Sequence, residues 1–397
     1  MFLRVDYLVY FYMLLCACML FFNLFYVGRN RWRQKRLPGR SAFFEKAVLR
    51  ACKEAERAQG EDEGSGGTHG PGAGKPGVCR RGEMGQRMSV RSLRRRLKRT
   101  GELIPFQEAL QNLLGKEESR EPVRGWLEEN RGLFATLGEA YLKKSQMEKA
   151  FFAWVVGSFD LCGESEEDPL TRDMLLLVQE ASVYCRENAL YAIYAAGSPL
   201  LVVRAYILMN RRRILHSRKM VTDGLLAFSG DREALAEELW ENWELFDAHY
   251  QVAFIDFIRM VTRRFGMRFL WLIQSEPERE VKFAILRYYR KYRYPDAEKM
   301  LRGYVNNWCI DDWEFAAISA LALEAYPGEK TVRALVRGIQ SDAWHIRSNA
   351  ADSLLRITDQ ERQQEILGRM EDSFGRNMLE YKIESLEKRK EAEHGGN

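Results

Sequence analysis

Small residues recur along the second half of this chain at a nearly fixed spacing, each about one turn into an apolar run with helical periodicity. Ala189, Ala253, Ala284, Ala316 and Ala350 fill the position and Gly224 fits it less closely, which makes the intervals 35, 29, 31, 32 and 34 residues. Another apolar helical pattern precedes each, as at 267–273 and 331–339. A period of about 32 residues holds two helices of three to four turns and two short loops. Each pair then exposes an apolar face that only the next pair covers, and the small residue allows close helix approach. Val332, Leu335, Val336 and Ile339 keep the spacing of one buried helix face, and no alternating strand pattern appears from residue 102 onward. Pro199, Pro277, Pro295 and Pro327 fall between the helical runs. The expected fold is all-α, an α-solenoid of helical hairpins.

Residues 341–357, from Ser341 and Asp342 through Trp344, His345 and Arg347 to Ile357, resemble the second half of a HEAT repeat. The resemblance is to the short bacterial subclass called phycobilisome-lyase-like and covers roughly 165–372. It implies a ladder of turn Asp and early-helix Arg residues, here Asp342 and Arg347, matched in part by Arg186 with Asn188 and Ala189. The other repeats keep the small residue but lose Asp, Arg or both. Leu137, Gly138 and Tyr141, followed by Ala150 and Trp154, are similar to one tetratricopeptide unit, a further pair for the same stack. Such a likeness specifies architecture and leaves activity open.

One N-terminal helix precedes the solenoid. Residues 7–28 are 22 consecutive uncharged positions with Asn23 the only strongly polar one. As a helix they span about 33 Å, enough for a hydrocarbon core of about 30 Å. Arg29, Arg31, Arg33, Lys35, Arg36 and Arg40 follow, against Arg4 and Asp6 before it. The positive-inside rule then puts the C-terminal part in the cytoplasm and the N-terminus outside, a single-pass protein of the cell membrane. Arg29, Arg31, Trp32, Arg33, Lys35 and Arg36 are the expected membrane-interface residues, facing anionic lipid headgroups. A cleaved signal peptide fits less well, since the run is long and no small-x-small site follows it.

The net charge of +5 divides unevenly: residues 29–40 carry +6, 80–99 carry +8 and 100–397 carry −8. Nucleic acid is therefore not expected as a partner of the folded part. Seven scattered cysteines without metal-type pairing suit a reducing compartment. The expected organisation is an anchor with its basic flank at 1–40, then a short helix and glycine-rich flexible linker at 41–86. A basic amphipathic helix at 87–100, the solenoid at 101–375 and a charged helix and tail at 376–397 follow. The linker reading rests on ten glycines among residues 60–85, and the short helix on 43–57. In the basic helix Val90, Leu93 and Leu97 share one face, which leaves two roles open: attachment to an anionic leaflet, or packing on the domain.

No constellation carries obvious chemistry. His69, His216, His249, His345 and His394 form no ligand pair, and no phosphate-loop, nucleophile-elbow or Cys-x-x-Cys motif occurs. No catalytic residue, metal or cofactor is expected. Residues 287–294 interleave Arg287, Arg290, Lys291 and Arg293 with tyrosines, a pattern that suits an anionic ligand such as nucleic acid, or a helix with Tyr288 in the core. Trp240, Trp243 and Phe246 form an aromatic stripe suited to packing between repeats. The expected function is a non-catalytic, membrane-anchored scaffold that binds a protein partner, with another membrane protein as one candidate. Arg186, Arg287, Arg290, Lys291 and Arg347 are the partner-binding candidates; the alternative is a HEAT-like lyase or other enzyme, or a binder of an anionic ligand such as nucleic acid through Arg287 to Arg293.

Overall fold

A computed structural model describes residues 3–63 and 89–394, with side chains for 10–27, 37–54 and 89–388. The described residues are helical, with no strand among them. They form two compact units, 1–192 and 193–397, the boundary falling inside one helix.

The first unit contains α1 (Leu3–Glu63), α2 (Val90–Leu97), α3 (Thr100–Leu114), α4 (Glu117–Glu129), α5 (Arg131–Tyr141), α6 (Gln146–Ser158), α7 (Pro169–Leu177) and most of α8 (Val183–Ala195). Local chemistry sets several starts. Ser145 and Glu148 form a reciprocal capping box on α6, and Asp168 accepts from the Thr171 amide at 2.9 Å ahead of Pro169 at the first turn of α7.

Helix α1 departs from the expected organisation. Residues 43–57 do not form a separate helix; they continue the helix that begins at Leu3, through Pro38. Ser41, Phe44, Val48 and Cys52, at helical spacing, are buried where α1 packs on α3 and α4. Phe44 meets Phe106 edge-on at 5.4 Å, and Phe106 in turn lies 6.4 Å from both Trp126 and Phe134. This aromatic cluster anchors the first unit. Residues 64–85 of the expected linker, with Cys79, His69, Arg80 and Arg81, lie outside the described residues.

The second unit completes α8 and adds α9 (Pro199–Arg211), α10 (Arg218–Leu226), α11 (Arg232–Glu241), α12 (Ala248–Val261), α13 (Gly266–Gln274) and α14 (Arg279–Lys291). It continues with α15 (Ala297–Asn306), α16 (Trp313–Ala322), α17 (Glu329–Ile339), α18 (Trp344–Ile357), α19 (Gln360–Arg369) and α20 (Ser373–His394). Helix α10 packs on α12, α12 on α14, α14 on α16, α16 on α18 and α18 on α20, while α11, α13, α15 and α17 each pack on the helix that follows. The recurring small residues sit in this series: Gly224 in α10, Ala253 in α12, Ala284 in α14, Ala316 in α16 and Ala350 in α18, the four alanines fully buried.

Hydrogen bonds join positions one such interval apart. Thr222 donates to the Ala253 carbonyl at 3.2 Å, and Asn349 to the Ala317 carbonyl at 2.9 Å. Large tyrosines reach between neighbouring loops: Tyr289 donates to the Gly266 carbonyl at 2.7 Å, and the Tyr326 hydroxyl accepts from the Tyr294 amide at 3.0 Å. Such a ring fills core volume while its hydroxyl satisfies a backbone group.

Candidate functional site

The 18-residue window Tyr10–Val27 of α1 is long and apolar enough to cross a membrane, and none of it is buried. Arg29, Arg31, Trp32, Arg33, Lys35 and Arg36 lie on α1 just beyond that window, their side chains outside the described residues. Arg40 is the first described base. It pairs with Glu102 of α3, which also accepts from Arg96 of α2 at 3.1 Å. The Arg96 guanidinium lies 4.8 Å from the ring centroid of Phe43 and 5.3 Å from that of Phe44. Three helices thus meet at one charged, aromatic junction.

Helix α2 takes one of the two roles the sequence leaves open for its apolar face: Leu93 and Leu97 are buried on the domain. Ser89 caps it, and Arg91, Arg94, Arg95, Lys98 and Arg99 stay exposed. The bases form a solvated face beside the α1 junction.

The sequence-derived partner candidates do not converge on one site. Arg186, in the first unit, is 7 % exposed and its Nη1 donates to the Glu180 and Ala181 carbonyls at 2.7 Å each, tying down the turn before α8. Arg287, Arg290 and Lys291 share a face of α14. Arg287 is exposed, Arg290 pairs with Glu324 at 3.0 Å, and Lys291 donates to the Arg259 carbonyl at 3.0 Å. Tyr288 and Tyr289 behind them are fully buried, as a helix with tyrosine in the core and bases in solvent requires. Arg347 on α18 is half-buried, its guanidinium 5.4 Å from the Phe374 ring centroid. Asp342 is exposed and forms no ion pair with Arg347 among the described residues.

A cavity of about 450 Å³ in the first unit is lined by Arg120, Arg124, Arg131 and Asp160. Arg131 holds the loop below it, through the Leu161 carbonyl at 3.0 Å and Asp168 at 3.1 Å. Burial pushes the Cys162 thiol up to about 12 and that of Cys185 up to about 11, which keeps both protonated at neutral pH. His345 stacks on Trp313 with centroids 4.9 Å apart.

Of the aromatic stripe, Trp243 and Phe246 are buried, and Trp240 packs 5.8 Å from both Phe265 and Phe269. Packing therefore uses most of it. Sequence reasoning passed over Trp271 and Met267, which are 67 % and 52 % exposed on α13. Their spacing of four residues, offset from the equally spaced and buried Phe269 and Ile273, is the signal that could have separated the two faces. No protein-family model matches the chain, and no curated protein or solved structure is similar to it.

Proposed function

We propose that the protein is a single-pass, membrane-anchored adaptor whose helical units form a HEAT-like α-solenoid on the cytoplasmic side and hold a protein partner there. The observation that carries this reading is the continuity of α1, whose exposed apolar window runs in one helix into the packed face of Phe44, Val48 and Cys52. Large apolar side chains left in water cost roughly 1.5–3 kcal/mol each, and a bilayer removes that cost. The next-but-one helix packing and the interval of about 32 residues support the solenoid. The basic flank at 29–40 supports the orientation.

Anchoring confines partner and adaptor to a thin layer and raises their effective concentration without any new contact. The test is purification of the full chain from its native membranes in mild detergent. A stoichiometric protein partner, with the chain resisting alkaline carbonate extraction, is expected. Release by carbonate, or a chain shortened after the apolar run, would remove the anchor; a partner-free chain would remove the adaptor role.

A further inference from the structure

The face of the second unit between α11 and α13 has a composition that no structural role accounts for. Helix α13 buries Phe269 and Ile273 and turns Met267 and Trp271 to solvent. Together with Trp240 and Trp243 these line an open groove of about 510 Å³. Glu241 and Glu244 form its other rim, both exposed and without an ion-pair partner among the described residues. Their neighbours differ: Glu233 pairs with Arg264 at 2.8 Å and Glu237 with Arg268. Arg268, the one cation lining the groove among the described residues, is thus committed, and it also lies over the Phe265 ring at 4.8 Å.

We propose that this groove docks a lysine- or arginine-containing apolar segment of a partner protein. The inference rests on the adaptor reading and gives the partner its chemistry. An exposed indole beside unpaired carboxylates is the arrangement that receives a long cationic side chain. The methylene stem lies on Trp271 and Met267, and the charged head meets ring faces and carboxylate oxygens. The pairs Glu237–Arg268 and Glu233–Arg264 leave a local excess of negative charge from Glu241 and Glu244, which disfavours an acidic segment. Tryptophan is also a residue type in which interface energy concentrates. The groove volume suits two or three side chains, so affinity comes from one basic and one or two apolar anchors.

The test uses the full chain in phosphatidylcholine nanodiscs and a fluorescein-labelled hexadecapeptide repeating Lys-Leu-Lys-Ala, read by anisotropy with empty nanodiscs subtracted. Saturable binding is expected, weakened at least tenfold by W271A and by the double variant E241Q/E244Q. The variant R287Q/R290Q, on α14, should bind as the parent does, and a peptide with every lysine replaced by glutamate should not bind. All four substituted sites of the groove and of α14 that carry charge are on the surface, and unchanged thermal unfolding of the Gln variants checks the fold. Absence of saturable binding, or equal binding by parent and both groove variants, overturns the proposal. So does concentration-dependent self-association that E241Q/E244Q dissolves while the peptide fails to bind, since the occupant is then a second copy. A partner that co-purifies equally with W271A refutes the groove and leaves the adaptor standing.

Discussion

Asp173 of α7 takes a carboxylate into the first unit, where it is 4 % exposed and its Oδ2 has no hydrogen-bond partner. Burial pushes its pKa up to about 6, with Arg172 opposing and Glu139 and Asp168 adding to the rise. The folded state therefore holds a proton that the unfolded chain releases near 4, so the group's destabilisation is absent below about pH 4, grows through pH 4–6 and is complete above 6. Asp173→Asn removes the charge. It should stabilise the chain at pH 7.5 by on the order of 1–2 kcal/mol, a gain that fades toward pH 4, as thermal unfolding in detergent at the two pH values would show. A melting difference independent of pH would mean that the carboxylate is not the cause. Gly157 of α6 shows the opposite kind of constraint, set by backbone. A β-carbon there would lie 2.9 Å from both Cα and N of Ala192 and 2.6 Å from Cδ1 of Tyr191. Gly157→Ala forces α6 and α8 apart and should lower stability by about 1–3 kcal/mol.

At the scale of elements, the helical character, the recurring alanines and the buried face of α14 were legible because each follows from a period of 3.6 residues and a small residue at a close crossing. The same reasoning failed at α1. The change from uncharged to basic composition near residue 28 marks an environment, and the sequence carries no equally strong mark of where the helix stops; Pro38 and Gly39 look like a break. Tertiary packing overrides them, since Phe44, Val48 and Cys52 find a complementary face on α3 and α4. Helices α3 and α4 also continue through Pro105 and Pro122. The docked half of α1 makes the link between apolar window and folded unit one continuous helix. Phe44→Ala should cost about 3–5 kcal/mol by removing the α1 ring that packs on Phe106 of the aromatic cluster, measured as a lower unfolding midpoint of the full chain in detergent. Arg91, Arg94 and Arg95 of α2 touch none of this cluster. Changing all three to Gln should leave the midpoint within about 0.5 kcal/mol, because exposed surface substitutions rarely do more.

For the whole molecule the decisive quantity is the direction in which α1 would cross under the proposed anchoring, and no contact among the described residues records it. Interior packing is insensitive to which side of a bilayer holds the folded units; the asymmetry comes from the bases after residue 28 and the membrane's charge. The candidate site was illegible for a related reason. In the run 267–273 the spacing separates two apolar faces, but both are apolar, so it could not say which of them, here the one with Trp271, stays in solvent beside Glu241 and Glu244. Orientation can be tested with a thiol the chain already has. Cys309, between α15 and α16, is exposed, whereas Cys52, Cys162 and Cys185 are buried and Cys16 and Cys18 lie in the apolar window. In a Cys79→Ser background, a membrane-impermeant maleimide should leave Cys309 unmodified in intact cells and label it fully once the membrane is permeabilised. Val5→Cys, on the other side of the window, should be labelled in intact cells. Labelling of Cys309 without permeabilisation would reverse the proposed topology, and with it place the groove and the folded units outside, where a cytoplasmic partner could not reach them.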